Sequence, residues 1–202
     1  GPRPVRDFIF WAERRFGKAG LYFGHGTDNA RDEAVWLVTA ALQIPFDGLD
    51  AQAERLLNES EQQAVRGLVE ARVGTRKPLA YLLHEAWFAG LKFYVDERVL
   101  VPRSLIGDFI HEQFQPWIDP ARVHRILDLC TGSGCIAIAA ALAFPQARVD
   151  GADISADALA VARTNVAQHG LGARVQLVER HLGGPGHHRH VRHAHGVWIA
   201  HL

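Results

Sequence analysis

Methionine is absent from all 202 residues, and lysine occurs three times against 19 arginines. Cysteine occurs twice, as Cys130 and Cys135 on either side of a glycine-rich turn. So few cysteines exclude a disulfide framework and fit a reducing compartment. No apolar run approaches the roughly 18 residues that a membrane-spanning helix needs, and no secretory signal is visible. A cytoplasmic protein without a membrane partner is therefore expected. Acidic and basic residues balance at 22 each, so net charge does not favour nucleic acid as a direct partner. The lack of methionine even at position 1, behind Gly1-Pro2, is what a processed chain or a fragment would show. The arginine excess hints at a GC-rich gene. Against these absences stands a hydrophobic content of 48%, enough for one or two real cores.

From Val5 to about Val73 the pattern is helical. Phe8, Ile9, Ala12 and Phe16 recur at three- and four-residue steps, which places them on one helix face. Thr27 or Asp28 is the expected cap of a helix carrying Ala34, Leu37, Val38, Ala41 and Leu42. Ser60-Glu-Gln-Gln63 reads as a capping box before Ala64, Leu68 and Val69. Nothing in this stretch looks catalytic; it suits packing, or docking of a macromolecular substrate. After Gly74 the aromatic run Ala86-Trp-Phe-Ala-Gly-Leu-Lys-Phe-Tyr-Val95 predicts a short hairpin, with Trp87 and Phe88 in the core. Ser104 is the expected cap of a helix reaching about Phe114, and Pro116 to Pro120 reads as a linker.

The segment Arg125-Ile-Leu-Asp-Leu-Cys-Thr-Gly-Ser-Gly-Cys-Ile-Ala-Ile-Ala139 predicts a strand, a tight turn and a helix. Glycines let such a turn approach a ligand at the helix N-terminus. A second strand over Arg148 to Ala152 ends at Asp153, a helix carrying Ala158, Leu159, Val161, Ala162 and Val166 follows, and Val175 to Val178 forms a third strand. This alternation implies a parallel doubly wound sheet, with ligands at the carboxyl ends of its strands. Asp153 lies 19 residues after Gly134, where a carboxylate can accept hydrogen bonds from two vicinal ribose hydroxyls. Gly132-x-Gly134-x-x-Ala137 also satisfies the loose dinucleotide fingerprint, so an oxidoreductase stays open. Asp128, four residues before the first glycine, favours S-adenosylmethionine, because it can face an ammonium group and no pyrophosphate needs neutralising. A plainer role for Asp128 is to order the turn.

Asp128-Leu-Cys-Thr-Gly-Ser-Gly-Cys-Ile-Ala-Ile138, together with Val99-Leu-Val-Pro-Arg-Ser104 and Tyr22-Phe-Gly-His-Gly-Thr27, closely resembles the bacterial glutamine methyltransferases of the PrmB type. Ala86-Trp-Phe88 and Phe93-Tyr-Val-Asp-Glu-Arg-Val-Leu100 favour that branch over the relatives that act on release factors. The resemblance covers about residues 5 to 179. It implies a helical substrate-recognition domain over 1–75, a hairpin and connecting arm over 76–103, and a Rossmann-like methyltransferase domain over 104–179. It further implies S-adenosylmethionine as cofactor and a glutamine side-chain amide of large-subunit ribosomal protein L-three as substrate. Carried over by position, Cys130, Thr131, Gly132, Ser133 and Gly134 would line the donor's amino-acid and ribose portion, and Asp153 would hold its ribose hydroxyls.

The resemblance stops after Glu179. Where the family carries Ser-Asp before an aromatic residue or leucine, this chain reads Arg180-His181-Leu182, and Asn-Pro-Pro-Tyr occurs nowhere. That motif, by resemblance, holds the substrate amide, so no catalytic residue is assigned here. Residues 180–202 hold seven of the twelve histidines, all after Arg180, and no acid. His187, His188, His190, His193 and His195 lack a defined ligand geometry, so no metal site is assigned either. A frame shift near codon 180 of a GC-rich gene accounts best for this composition, with a natural linker as the alternative. On this reading the sheet is incomplete, with three strands. Ile126 to Cys130 then forms an exposed apolar edge that invites self-association, donor binding is weak or lost, and methyl transfer is absent. A non-catalytic module docking the ribosomal protein is the remaining alternative.

Overall fold

The computed structural model describes residues 3–24, 26–103, 105–179 and, as backbone, 196–200. Residues 1–84 and 85–202 form two compact units.

In the first unit, α1 (Val5–Lys18) buries Val5, Phe8, Ile9, Ala12 and Phe16, the face that their spacing implies. They pack with Ala34, Leu37 and Val38 of α2 (Ala30–Ala41) and with Val65 and Val69 of α4 (Glu59–Thr75). The short helices α3 (Leu49–Gln52) and α5 (Leu79–Leu83) complete the unit. Two caps differ from expectation. Asn29, not Thr27 or Asp28, caps α2 by accepting from the Asp32 amide at 2.9 Å, while the Thr27 hydroxyl donates to Glu33. The capping box before α4 is Asn58 with Glu61, two residues earlier than Ser60, because Asn caps as well as Ser and the helix already begins at Glu59. Across the core, Arg72 Nε donates to Glu33 Oε1 at 2.6 Å with both side chains buried, and Arg72 also donates to the Tyr22 carbonyl. Removing either charge would leave the other uncompensated away from water.

The second unit opens on a hairpin, β1 (Ala86–Phe88) and β2 (Leu91–Phe93), joined through Ala89 and Gly90, both at positive φ. Two successive left-handed residues give the turn whose twist matches that of the strands. Alternation across the strand separates the aromatic pair. Phe88 is buried, whereas Trp87 is 55% exposed and donates to Glu85, so only Phe88 is core. The next helix, α6, covers Ile106–His111 and ends short of Phe114, because Gln113 and Phe114 take positive φ. Ser104, the expected cap, lies outside the described residues.

Four parallel strands form the main sheet, in the order β5 (Val175–Glu179), β4 (Arg148–Asp153), β3 (Arg125–Leu129), β6 (Gly196–Ala200). Helix α7 (Cys135–Ala143) links β3 to β4, and α8 (Ala156–Gln168) links β4 to β5. From Cys135 to Ala141 every residue of α7 is buried, which explains why that stretch carries almost no polar residue.

The sheet corrects the expectation of three strands and an exposed β3. Gly196–Ala200 pairs with β3 in register, from Arg125 opposite Gly196 to Leu129 opposite Ala200. Val197, Trp198 and Ile199 supply the β-branched and aromatic residues that a strand favours. That placement makes β3 an interior strand of the described sheet. The histidines from His181 to His195 lie outside the described residues. Among the described residues, no helix is long and apolar enough to cross a membrane.

Candidate functional site

The carboxyl ends of β3 and β4 bring the sequence-derived site residues together. Beyond Leu129 the chain turns through Cys130 at φ 58°, Gly132 at 54° and Gly134 at 79°, a series of left-handed conformations that only glycine adopts without strain. Cys130 takes that strain and stays exposed, whereas Cys135 is buried at the start of α7. Burial pushes the Cys135 thiol up to about 12, so it is not a nucleophile near neutrality. The Thr131 amide donates to the Ala152 carbonyl at 3.0 Å and the Gly134 amide to the Thr131 carbonyl at 2.8 Å. The turn is thereby tied to β4 and closed on itself.

Two carboxylates, from β3 and β4, organise it. Asp153, half-buried at the end of β4, accepts from the Gly132 amide through Oδ2 at 2.9 Å and from the Ser155 amide through Oδ1 at 3.0 Å. Each oxygen keeps a lone pair for a further donor. Asp128 is fully buried. Its Oδ2 accepts from the Thr131 hydroxyl at 2.6 Å and from the Ala137 amide at 3.2 Å. Asp128 therefore orders the turn and the first turn of α7. Its Oδ1, however, is buried with no partner. Desolvation pushes this carboxyl up to about 7, helped by the nearby Asp153 charge and opposed by the two hydrogen bonds.

The two glycines of the turn differ in what surrounds them. A Cβ at Gly134 would stand 3.2 Å from Ala162 Cβ, so the glycine lets α7 and α8 close together. At Gly132 an added Cβ would meet nothing nearer than the Cys130 carbonyl at 3.9 Å, which leaves open space beside the turn.

Residue-by-residue reading of the sequence missed Gly151 and Asn165. A Cβ at Gly151 would come within 2.9 Å of Leu177 Cδ2 and 3.0 Å of Thr131 Oγ1. Asn165 is fully buried on α8 and touches the turn through the Ser133 carbonyl at 2.8 Å. Its signal was available, since it interrupts the buried stripe of Ala158, Leu159, Val161, Ala162 and Val166, and a polar residue there needs partners. Among the described residues no cluster of three histidine, cysteine or acidic side chains is placed to hold a metal ion.

A parallel sheet whose first strand feeds a glycine turn, with a carboxylate closing on that turn from the second strand, defines a Rossmann-like domain. The family described as a methyltransferase domain matches residues 126–187, and the family described as the PrmC N-terminal domain matches residues 9–83. In chain order, a helical segment similar to the PrmC N-terminal domain thus precedes a Rossmann-like segment similar to a methyltransferase domain. Among curated relatives, the chain is similar to ribosomal protein uL3 glutamine methyltransferases. It is 50% identical over 184 residues to the one from Burkholderia pseudomallei, covering 91% of this chain and 60% of that protein. Over 179 residues it is 47% identical to the one from Neisseria gonorrhoeae and 50% identical to the one from Bordetella pertussis, covering 88% of this chain and 60% of each relative. The chain spans about 60% of the length of the relatives it matches.

Proposed function

We propose that residues 85–202 bind S-adenosylmethionine at the β3–α7 turn and that the chain derives from an enzyme that methylates a glutamine side-chain amide of ribosomal protein uL3. The observation that carries the donor reading is the pairing of Asp153 with the Gly132 amide, beside open space and an unpartnered Asp128 Oδ1. These residues suit the donor's chemistry. The remaining lone pairs of Asp153 can accept from vicinal ribose hydroxyls. The ionised form of Asp128 supplies negative charge below a turn that would carry an ammonium group. Cys130 to Gly134 present backbone and small side chains to the rest of the molecule. When bound, the donor supplies an electrophilic methyl group on a sulfonium.

An amide nitrogen is a poor nucleophile because its lone pair is delocalised, so transfer depends on positioning and on charge complementarity around the reacting atoms. By resemblance Asn-Pro-Pro-Tyr does that work, and these 202 residues do not contain it. We therefore assign donor binding, and no methyl transfer, to this chain. The helices of residues 9–83 are assigned to docking of the substrate protein, in keeping with the PrmC N-terminal match.

Calorimetric titration with S-adenosylhomocysteine tests the donor reading. Saturable binding is expected, lost at least about tenfold in Asp153→Ala as two charge-assisted hydrogen bonds go, with no binding of nicotinamide dinucleotides. Absence of binding, or preference for the dinucleotide, would overturn it. Incorporation of labelled methyl groups into purified uL3 by the same chain would overturn the assignment of no transfer.

A further inference from the structure

Three backbone groups from distant parts of the second unit meet on one side-chain amide. Asn165 Oδ1 accepts from the Tyr94 amide at 2.7 Å, and Asn165 Nδ2 donates to the Tyr94 carbonyl at 2.9 Å and to the Ser133 carbonyl at 2.8 Å. The side chain is 0% exposed. Tyr94 follows the hairpin strand β2 and Ser133 belongs to the glycine turn, so Asn165 pins the connecting arm and the turn to the same point on α8. The arm is itself well braced. Val95 is fully buried, Asp96 accepts from the Tyr94 hydroxyl at 2.9 Å, and Arg98 donates to Asp96 at 2.6 Å. The Arg98 guanidinium holds the Asp96 carboxyl well below the usual carboxylate range. A single buried amide with both its N–H groups and its oxygen engaged by backbone has little freedom to let one partner move alone.

We propose that Asn165 is a positioning residue for donor binding: it holds the Tyr94 arm in register with the Ser133 carbonyl, so that ordering the turn around a ligand also orders the arm. The inference rests on the donor reading above. It goes beyond that reading by giving α8 and the arm a share in affinity although neither supplies a residue to the turn. Asn165 acts through Ser133 and Tyr94 and is not assigned a contact with the ligand.

The chain carrying Asn165→Asp is compared with wild type and with Leu171→Ala, a change at a buried core residue whose backbone hydrogen bonds run to Val166, Arg174 and Val175. Asp keeps an acceptor toward the Tyr94 amide but sets a carboxylate against two carbonyls. S-adenosylhomocysteine affinity should fall about tenfold or more in Asn165→Asp and stay within about twofold in Leu171→Ala, each measured well below its own melting temperature. Asn165→Ser, smaller and still able to donate, serves if the Asp variant does not fold, and should fall in between. Hydrogen exchange gives a second readout that a merely structural role would not move: in wild type the Tyr94 amide should slow when S-adenosylhomocysteine is added. Failure of wild type to bind would overturn the donor reading and this inference together. Normal binding by the Asn165 variants, a loss matched by Leu171→Ala, or ligand-independent exchange at Tyr94 would overturn this inference alone.

Discussion

Asp128 makes a pH signature that can be worked from its surroundings. Its carboxyl is fully buried, with one oxygen bonded to Thr131 and Ala137 and the other bare, and desolvation raises it from 3.8 to about 7. In the unfolded chain it returns to the ordinary value. Between about pH 4 and 7 the folded state therefore holds a proton that the unfolded state has released. The resulting stability is complete below about pH 4 and lost as pH rises through 7. At about 1.4 kcal/mol for each unit of separation, stability from this group falls by about 2–3 kcal/mol between pH 5 and pH 8. Asp128→Asn removes the titration while keeping an oxygen for Thr131 and Ala137. Its buried amide hydrogens carry a cost of about 1–3 kcal/mol that does not change with pH. Urea unfolding followed by circular dichroism at pH 5, 6, 7 and 8 separates the two contributions, because histidines and other groups titrate equally in both proteins and cancel in the difference. Wild type should be the more stable at pH 5, and its advantage should shrink by about 2–3 kcal/mol by pH 8. Parallel curves would mean that Asp128 is ionised throughout in the folded chain, which would refute the assignment of its environment.

Arg72→Met should destabilise the helical unit by about 3–5 kcal/mol, because Glu33 is left charged and buried; the double change with Glu33→Met should recover part of that loss, and a single-variant loss below about 1 kcal/mol in urea unfolding would count against a buried pair. Gly151→Ala should cost about 1–3 kcal/mol by overpacking against Leu177 and Thr131. It should also weaken S-adenosylhomocysteine binding, since Thr131 moves; an unchanged melting temperature would show that the neighbours give way freely.

Much of this protein was legible in its sequence because the signals are local and periodic. The spacing of Phe8, Ile9, Ala12 and Phe16 dictated a helix and its buried face. Glycines at 132 and 134 between an apolar strand and an apolar helix marked the turn, and their positive φ values are the physical cause of that pattern. Asp153, read from its distance along the chain, does reach the turn. Cap positions were less legible, since Asn29 and Asn58 compete with nearby Thr27, Asp28 and Ser60 on nearly equal terms.

Only tertiary structure decided three matters. It placed Gly196–Ala200 beside β3, because strand pairing depends on which edge is free and not on the composition of the intervening residues. It enclosed Asp128 and left one oxygen without a partner, because burial is a property of everything packed around a side chain. And it brought Asn165 to Tyr94 and Ser133: the chain determined by itself which segments would be helix, strand or turn, whereas hydrogen bonds between residues far apart exist only once the sheet and α8 have packed.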